Sequence, residues 1–249
     1  ARAQAPFYQG KTIRLIVGFT AGGLYDGYAR IFSKFMPKHI PGNPDILVQN
    51  MPGAGSLVAS NYIYSVAKPD GLTLGMVGRG VYLDQLLGKN EVNYDVRKFV
   101  WIGSVDQTDL LLYIRADAPW KSIEDIATSA ERPKCGASGT SDNTTIVANV
   151  LEEALGIKLN VVRGYPGGSE IDLAVSKGEL HCRGTGFTTH FSREPNLTWH
   201  KEGFDRHLIQ MGAKRDPRLP DTPALYELME KKKTPEINRA VARVLLLAG

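Results

Sequence analysis

Two sets of alternating strand and helix patterns, interrupted once, decide what this chain can fold into. In the first set KTIRLIVGF reads as a strand. From Leu24 onward, apolar residues recur at Leu24, Tyr28, Ile31, Phe32, Phe35 and Met36. These are the three- and four-residue steps of an amphipathic helix. It ends before PGNP at 41–44. DILVQN is a strand, PGAG a turn, SLVASNYIYSVA a helix and LTLGMVG a strand. FVWIGSVDQTDLLLYIRAD breaks the rhythm and reads as two strands joined by a short polar link. The second set then runs through helix SIEDIATSA, strand KCGAS, helix TTIVANVLEEALG, strand KLNVVRG, helix GSEIDLAVSKGE and strand LHCRG. HLIQMGAK is a further strand, and LPDTPALYELM and PEINRAVARVLLLA are helices. The tail VARVLLLAG reads as a buried helix, since it is far shorter than the ~18 apolar residues of a membrane span.

Such alternation predicts an α/β fold of mostly parallel sheets with helices on both faces. Two sets predict two lobes, a first of residues 1–103 and 213–249 and a second of 104–212. The chain is expected to cross near Ser104–Gln107 and return near Met211–Lys214. Ligands of open α/β sheets sit beyond the carboxyl ends of the strands, so a cleft between the lobes is the expected site.

Charge narrows the partners. The formal net charge is +4, and Lys and Arg are scattered apart from Lys231, Lys232 and Lys233, which read as a solvated loop face. No nucleic-acid surface is expected. Ala1-Arg2-Ala3-Gln4 fits the small-residue pattern around a signal-peptidase site, so an exported mature chain is expected. Cys135 and Cys182 lie in strand-like runs. In an exported chain a disulfide and two separate buried thiols both remain open. His39, His181, His190, His200 and His207 show no ligand spacing, and there is no C-x-x-C, so no metal site is expected.

The chemistry concentrates in loops. GFTAGGLYD, residues 18–26, joins a strand end to a helix start. Helix N-termini offer unpaired N–H groups, and glycines let a ligand approach the backbone. Anion binding is one reading and a plain tight turn the other. Asp26 disfavours a phosphate dianion. It serves either as an acceptor for a ligand group or as a favourable charge in the first helical turn. Gly10-Lys11-Thr12 resembles a P-loop ending but precedes its strand. PGAG at 52–55 reads as a structural turn, because Asp70 stands before the next strand and not at its end. CGASGTSDNTT, 135–145, repeats the strand–loop–helix design with hydroxyls at Ser138, Thr140 and Ser141. Two such loops suit one small anion held from both sides. Arg79, Arg163 and Arg183 each end an apolar strand run as Arg-Gly. They suit a second carboxylate through bidentate pairing, or else neutralise acidic side chains at the sheet edge. No G-x-S-x-G, H-E-x-x-H or kinase set occurs. Paired anion loops without an activated nucleophile favour binding over catalysis. The alternative is an α/β hydrolase or transferase acting on a small acidic substrate.

The motifs IRLIVGFTAGGLYDGYAR, VQNMPGAG, KPDGLTLG, VNYDVRKFVWIG, CGASGTSDN, GYPGGSEIDLAVSKGEL and KRDPRLPDTPALYEL together resemble the substrate-binding receptors of tripartite tricarboxylate transporters, the Bug-type receptors. The resemblance covers nearly the whole chain. It implies a two-lobed Venus flytrap, a periplasmic location, a small organic-acid ligand and membrane transporter components as partners. It also implies a monomer with no cofactor, no metal and no catalysis. The implied ligand contacts are Phe19, Thr20, Ala21, Gly22, Gly23, Tyr25 and Asp26 in the first loop and Ser138, Gly139, Thr140 and Ser141 in the second. Arg79, Arg163, Tyr165, Arg183 and Thr185 complete the set. Pro166 stands where the family usually has Lys, and His181 where it often has Asp. The family usually runs beyond the position of Gly249.

Overall fold

The structure is a computed structural model that describes residues 5–247. The Ala1–Gln4 cleavage-like pattern and the Gly249 end therefore lie outside the described residues. The chain divides into two compact units, the first running through Val105 with Pro166–Ser169 added, the second comprising Asp106–Tyr165 and the chain from Glu170 onward.

In the first unit three strands alternate with helices: β1 (Thr12–Val17), α1 (Leu24–Phe35), β2 (Asp45–Asn50), α2 (Leu57–Ser65), β3 (Thr73–Met76) and α3 (Val81–Leu86). The sheet order is β2-β1-β3, all parallel. Ile13, Leu15, Ile16 and Val17 of the central β1 are all buried. That explains its unbroken apolar run, since the middle strand of a covered parallel sheet has no solvent face. The α1 apolar stripe differs from the expected one. Tyr25, Ala29 and Phe32 meet the sheet, whereas Ile31 and Phe35 are exposed. Small Ala29 lets the helix approach the strands closely, and this rotates the bulkier residues outward.

The second unit contains β4 (Leu110–Arg115), α4 (Ile123–Thr128), β5 (Lys134–Ala137), α5 (Asn143–Leu155), β6 (Asn160–Arg163), α6 (Gly168–Ser176, from Glu170 onward), β7 (Cys182–Gly186), α7 (Phe187–Ser192), α8 (Asn196–Glu202), β8 (Asp205–Gln210), α9 (Leu225–Lys232) and α10 (Glu236–Leu245). The sheet order is β6-β5-β7-β4-β8, with β4 antiparallel to both neighbours. Leu110–Ile114 are buried on both faces. FVWIG forms no strand: β4 begins at Leu110, and Val100, Trp101 and Ile102 are exposed. The apolar run there mimics a strand, but no neighbouring strand pairs with it among the described residues.

Residues 213–249, expected with the first lobe, group with the second unit instead. The buried amide of Gln210 anchors the segment after β8. Its nitrogen donates to the carbonyls of Leu219 and Thr222, and its oxygen accepts the Asp216 N–H. α9 and α10 then pack on α5, where the Thr234 hydroxyl donates to Ala154 O at 2.7 Å. α10 is also not the buried tail helix expected. It buries Ala242 while Ile237, Val241 and Val244 stay exposed.

Cys135 and Cys182 are register partners on adjacent parallel strands and form a disulfide closing a 47-residue separation. A cross-link of that span restricts the unfolded chain and contributes about 2–4 kcal/mol. The paired substitution Cys135→Ser with Cys182→Ser should therefore lower the urea midpoint, and reductant should lower it in the wild type alone. Equal midpoints for all four samples would show that the bond adds no stability.

Candidate functional site

The first glycine-rich loop, residues 18–23, leaves the carboxyl end of β1 and enters α1. Its shape is imposed from outside. The Ser56 hydroxyl donates to Gly18 O and accepts the Gly78 N–H, tying the chain after β1 to the chain after β3. A Cβ on Gly18 would lie 2.1 Å from the Ser56 oxygen, so glycine is required there. Ser56 reaches this point because Gly53, Ala54, Gly55 and Ser56 all have positive φ, at 145°, 47°, 67° and 80°. The PGAG turn is thus a bracket for the first loop. Asn50, at the end of β2, donates to Phe19 O at 3.0 Å. The Phe19 and Tyr25 rings lie 4.5 Å apart, and the Tyr25 oxygen accepts the Arg79 N–H at 3.3 Å.

Asp26 is the anchor of this arrangement. Its buried carboxylate accepts from Gly22 N (2.9 Å), Arg30 Nε (2.8 Å), Arg30 Nη2 (3.0 Å) and Asn50 Nδ2 (3.0 Å). Burial pushes the carboxyl up, but the hydrogen bonds from Arg30, Gly22 and Asn50 outweigh it and hold the group below its ordinary range. The carboxylate thus braces the loop, a role beyond the two open in the sequence. It also takes the Gly22 N–H for itself. Gly23 caps α1 in an extended conformation with no side-chain cap. The first N–H groups of such a helix have no partner within the helix.

The second loop follows the same plan. Asp142, the N-cap of α5, accepts the Ser138 hydroxyl at 2.7 Å and the Thr144 N–H at 2.8 Å. The Thr145 hydroxyl donates to Gly139 O at 2.7 Å. Thr144 fixes the helix start to β7 by accepting the Gly184 N–H and donating to Gly184 O. A Cβ on Gly184 would come within 2.8 Å of the Thr144 backbone. Ser138, Gly139 and Ser141 are buried, and Thr140 is half-buried.

The three arginines differ. Arg183 on β7 is buried, and its Nη1 meets Asp172 Oδ1 of α6 at 2.6 Å. The Tyr113 phenol donates to the same oxygen at 2.8 Å. Burial first, then Asp172, pushes that phenol well up, so it stays a donor. Thr185 lies two residues along β7 on the same face, and its buried hydroxyl has no hydrogen-bond partner among the described residues. Arg163 ends β6 exposed, whereas Arg79 follows β3 and is half-buried. Tyr165 is partly buried against the core of the second unit. His181 accepts the Lys134 N–H through Nδ1 at 3.0 Å. Burial, and then Lys134 and Arg115, lower the pKa of its imidazole.

Asn50, Ser56, Asp142 and Asp172 went unnoticed in the sequence because each works through a loop distant along the chain or as an ordinary helix cap. The Asp following each loop carried a usable signal: Gly22–Asp26 and Ser138–Asp142 are both four residues apart. The histidines, expected to share no ligand spacing, do meet at one place, where His190, His200 and His207 gather with Asp205.

Comparison with known proteins is consistent with this layout. The model of the tripartite tricarboxylate transporter family receptor (TctC) matches residues 29–241. A UPF0065 protein of Cupriavidus necator is 31% identical over 233 residues, covering 92% of this chain and 67% of its own length. MatC from Rhodopseudomonas palustris, solved with bound malate, superposes with a TM-score of 0.75 at 20% identity, over 95% of this chain and 83% of its own. An R. palustris protein solved with adipate gives 0.74 at 19% identity, over 96% of this chain and 83% of its own.

Asp26→Asn should destabilise the protein by about 1–3 kcal/mol, because an amide nitrogen would face donors. The ion-pair share is small, since the Arg30 side chain is 58% exposed. The folded carboxyl titrates below its unfolded value of about 3.9, so its stabilisation is complete above that value and drains as pH falls through the folded one. The gap between wild type and variant in urea should therefore narrow from about pH 7 to about pH 3. A gap of zero at neutral pH would show that the carboxylate does not fix the loop.

Proposed function

The chain belongs to the tripartite tricarboxylate transporter receptor family, and from that premise we propose that it captures a small organic acid in the periplasm for the membrane components of such a transporter. The observation that carries this reading is the pair of glycine-rich strand-to-helix loops, each braced by an aspartate four residues on. A braced loop holds backbone donors in place before the ligand arrives, which lowers the ordering cost of binding. Backbone N–H groups and short hydroxyls suit one carboxylate without an opposing full charge. Asp26 and Asp142 at the loop bases disfavour a phosphate dianion, and this points to the more weakly charged carboxylate.

The ligand we assign is a di- or tricarboxylate. Malate and adipate, held by two proteins of this fold, are both dicarboxylates. For the second carboxylate we assign Arg79, whose N–H is held by Tyr25 of the first loop. Arg183 already neutralises Asp172, and Arg163 is exposed. Phe19 through Gly23, Ser138 through Ser141, Tyr165 and the unpartnered hydroxyl of Thr185 remain the proposed contacts. The receptor acts as a monomer and returns its ligand chemically unchanged.

Screening mono-, di- and tricarboxylates and neutral sugars by thermal shift should identify a polyacid as the stabilising ligand, and mass spectrometry should recover it intact. Stabilisation by a neutral sugar alone, or turnover of the acid, would overturn the reading. Gly23→Pro removes one N–H at a φ of −78° that proline accepts, and Ser141→Ala removes one hydroxyl. Each should weaken binding by about 1 kcal/mol, roughly fivefold, in calorimetry. Unchanged affinity in either variant would remove that loop from the site.

Arg79→Ala should cost a dicarboxylate about 2–5 kcal/mol and a matched monocarboxylate far less. Equal losses for the two ligands would show that Arg79 does not meet the second carboxylate.

A further inference from the structure

We propose that His190, His200, Asp205 and His207 form a binding site for one divalent transition-metal ion of the zinc type, which fastens α7 and α8 to the edge strand β8. One potential ligand atom from each residue lies within 4.8 Å of all the others. The residues come from three elements: His190 from α7, His200 from α8, Asp205 and His207 from β8. Asp205 and His207 are two apart on the strand and so face the same side.

The local polar geometry is incomplete without a cation. The His190 and Asp205 side chains are fully buried. Both Asp205 carboxylate oxygens have no hydrogen-bond partner among the described residues. His190 Nε2 lies 3.1 Å from Asp205 Oδ2, near enough for an ion pair but not aligned as a hydrogen bond. Buried polar atoms in folded proteins are nearly always paired, and a buried carboxylate is costly when it is not. An ion bound to Asp205 and the imidazoles supplies the missing partner for the carboxylate.

The donor set selects the ion. Three imidazoles and one carboxylate suit zinc and its first-row neighbours, whereas calcium and magnesium prefer oxygen alone. Ligand atoms around tetrahedral zinc stand about 3.3 Å apart. His190 Nε2 and His207 Nε2 share a 2.7 Å hydrogen bond, which the ion would replace as these two atoms part slightly and the wider pairs draw in. The Phe191 ring packs against His190, His200 and His207 and walls the cluster with apolar surface. Four protein ligands leave no open position, so the ion's role is structural.

The test uses tag-free full-length chain, stripped with a chelator and titrated with zinc chloride against a chromophoric competitor. One ion should bind per chain, with a Kd below about 1 μM, and should raise the melting temperature. Cobalt should give the intense visible bands of a tetrahedral site. His200→Ala, at the partly exposed ligand, should weaken zinc binding at least about tenfold, while His39→Ala, outside the cluster, should leave it unchanged. Failure of the wild type to bind zinc, or equal binding by His200→Ala, would overturn the site. Asp205→Asn should lose zinc too. If that variant does not fold, His200→Ala and the cobalt spectrum decide. Carboxylate capture is measured separately, and neither result depends on the other.

Discussion

A single buried carboxylate sets the geometry of the first loop. Asp26 joins three parts of the chain, since its oxygens hold the Gly22 N–H, the Arg30 guanidinium and the Asn50 amide. Asn50 ends β2 and reaches Phe19 O, so the loop is fastened at both its entry and its exit. A glycine-rich loop on its own would lose much entropy on ordering. Here that loss is borne during folding, before any ligand is present. Ser56 extends the same frame to β3 through Gly18 and Gly78. The second loop reaches a similar end with fewer parts. Asp142 accepts Ser138 and caps α5, while Thr144 fastens the helix start to β7.

This bracing limits which anion the loops suit. A helix N-terminus attracts negative charge, but each of these two carries an aspartate in or beside its first turn. Part of the dipole's effect is therefore already answered from within the chain. Arg30 offsets Asp26 only partly, because its side chain is more than half exposed. The carboxylate proposed as the ligand, with a single delocalised charge and two acceptor oxygens, suits such helix starts better than a phosphate with nearly twice the charge. The buried Arg183–Asp172 pair, with Tyr113 on the same oxygen, is likewise balanced inside the second unit.

Strand and helix order was legible because it depends on local periodicity. β1, β2, β3, β5, β6, β7 and β8 stand where apolar runs or alternations end in turn residues. α5 runs from its Asp142 cap to Gly156, which adopts the left-handed conformation favoured at helix ends. What failed depended on partners distant along the chain. FVWIG has strand composition but no neighbour to pair with, and α10 has an apolar tail of which only one arc finds α5. The placement of 213–249 turned on Gln210, a residue whose polar side chain gave no hint that it would be buried and bound to Leu219, Thr222 and Asp216. Helices α7 and α8 are short and polar, with Arg193-Glu194-Pro195 between them, and no amphipathic period reveals them. The loops were legible as glycine-rich strand-to-helix turns. Their bracing was not, because Asn50 and Ser56 act across the sheet.

The same distinction explains why the histidines escaped notice. Ligand-spacing rules find sites built on one helix or one tight loop. His190, His200 and His207 are separated by ten and seven residues and come together only because α7 and α8 fold back onto β8. β8 is the last strand of its sheet, with β4 on one side and, among the described residues, only the isolated Gln210–Ala224 bridge on the other. An edge strand needs cover, and two short helices of six and seven residues supply it, with Phe187 and Trp199 buried in the core of the unit. On the other side of β4 the sheet has a covalent tie, the Cys135–Cys182 bond between β5 and β7. The β8 edge has none, and the charge buried there belongs to Asp205. A fastening that depends on that charge would add a directional tie to the apolar contacts that Phe187 and Trp199 already make.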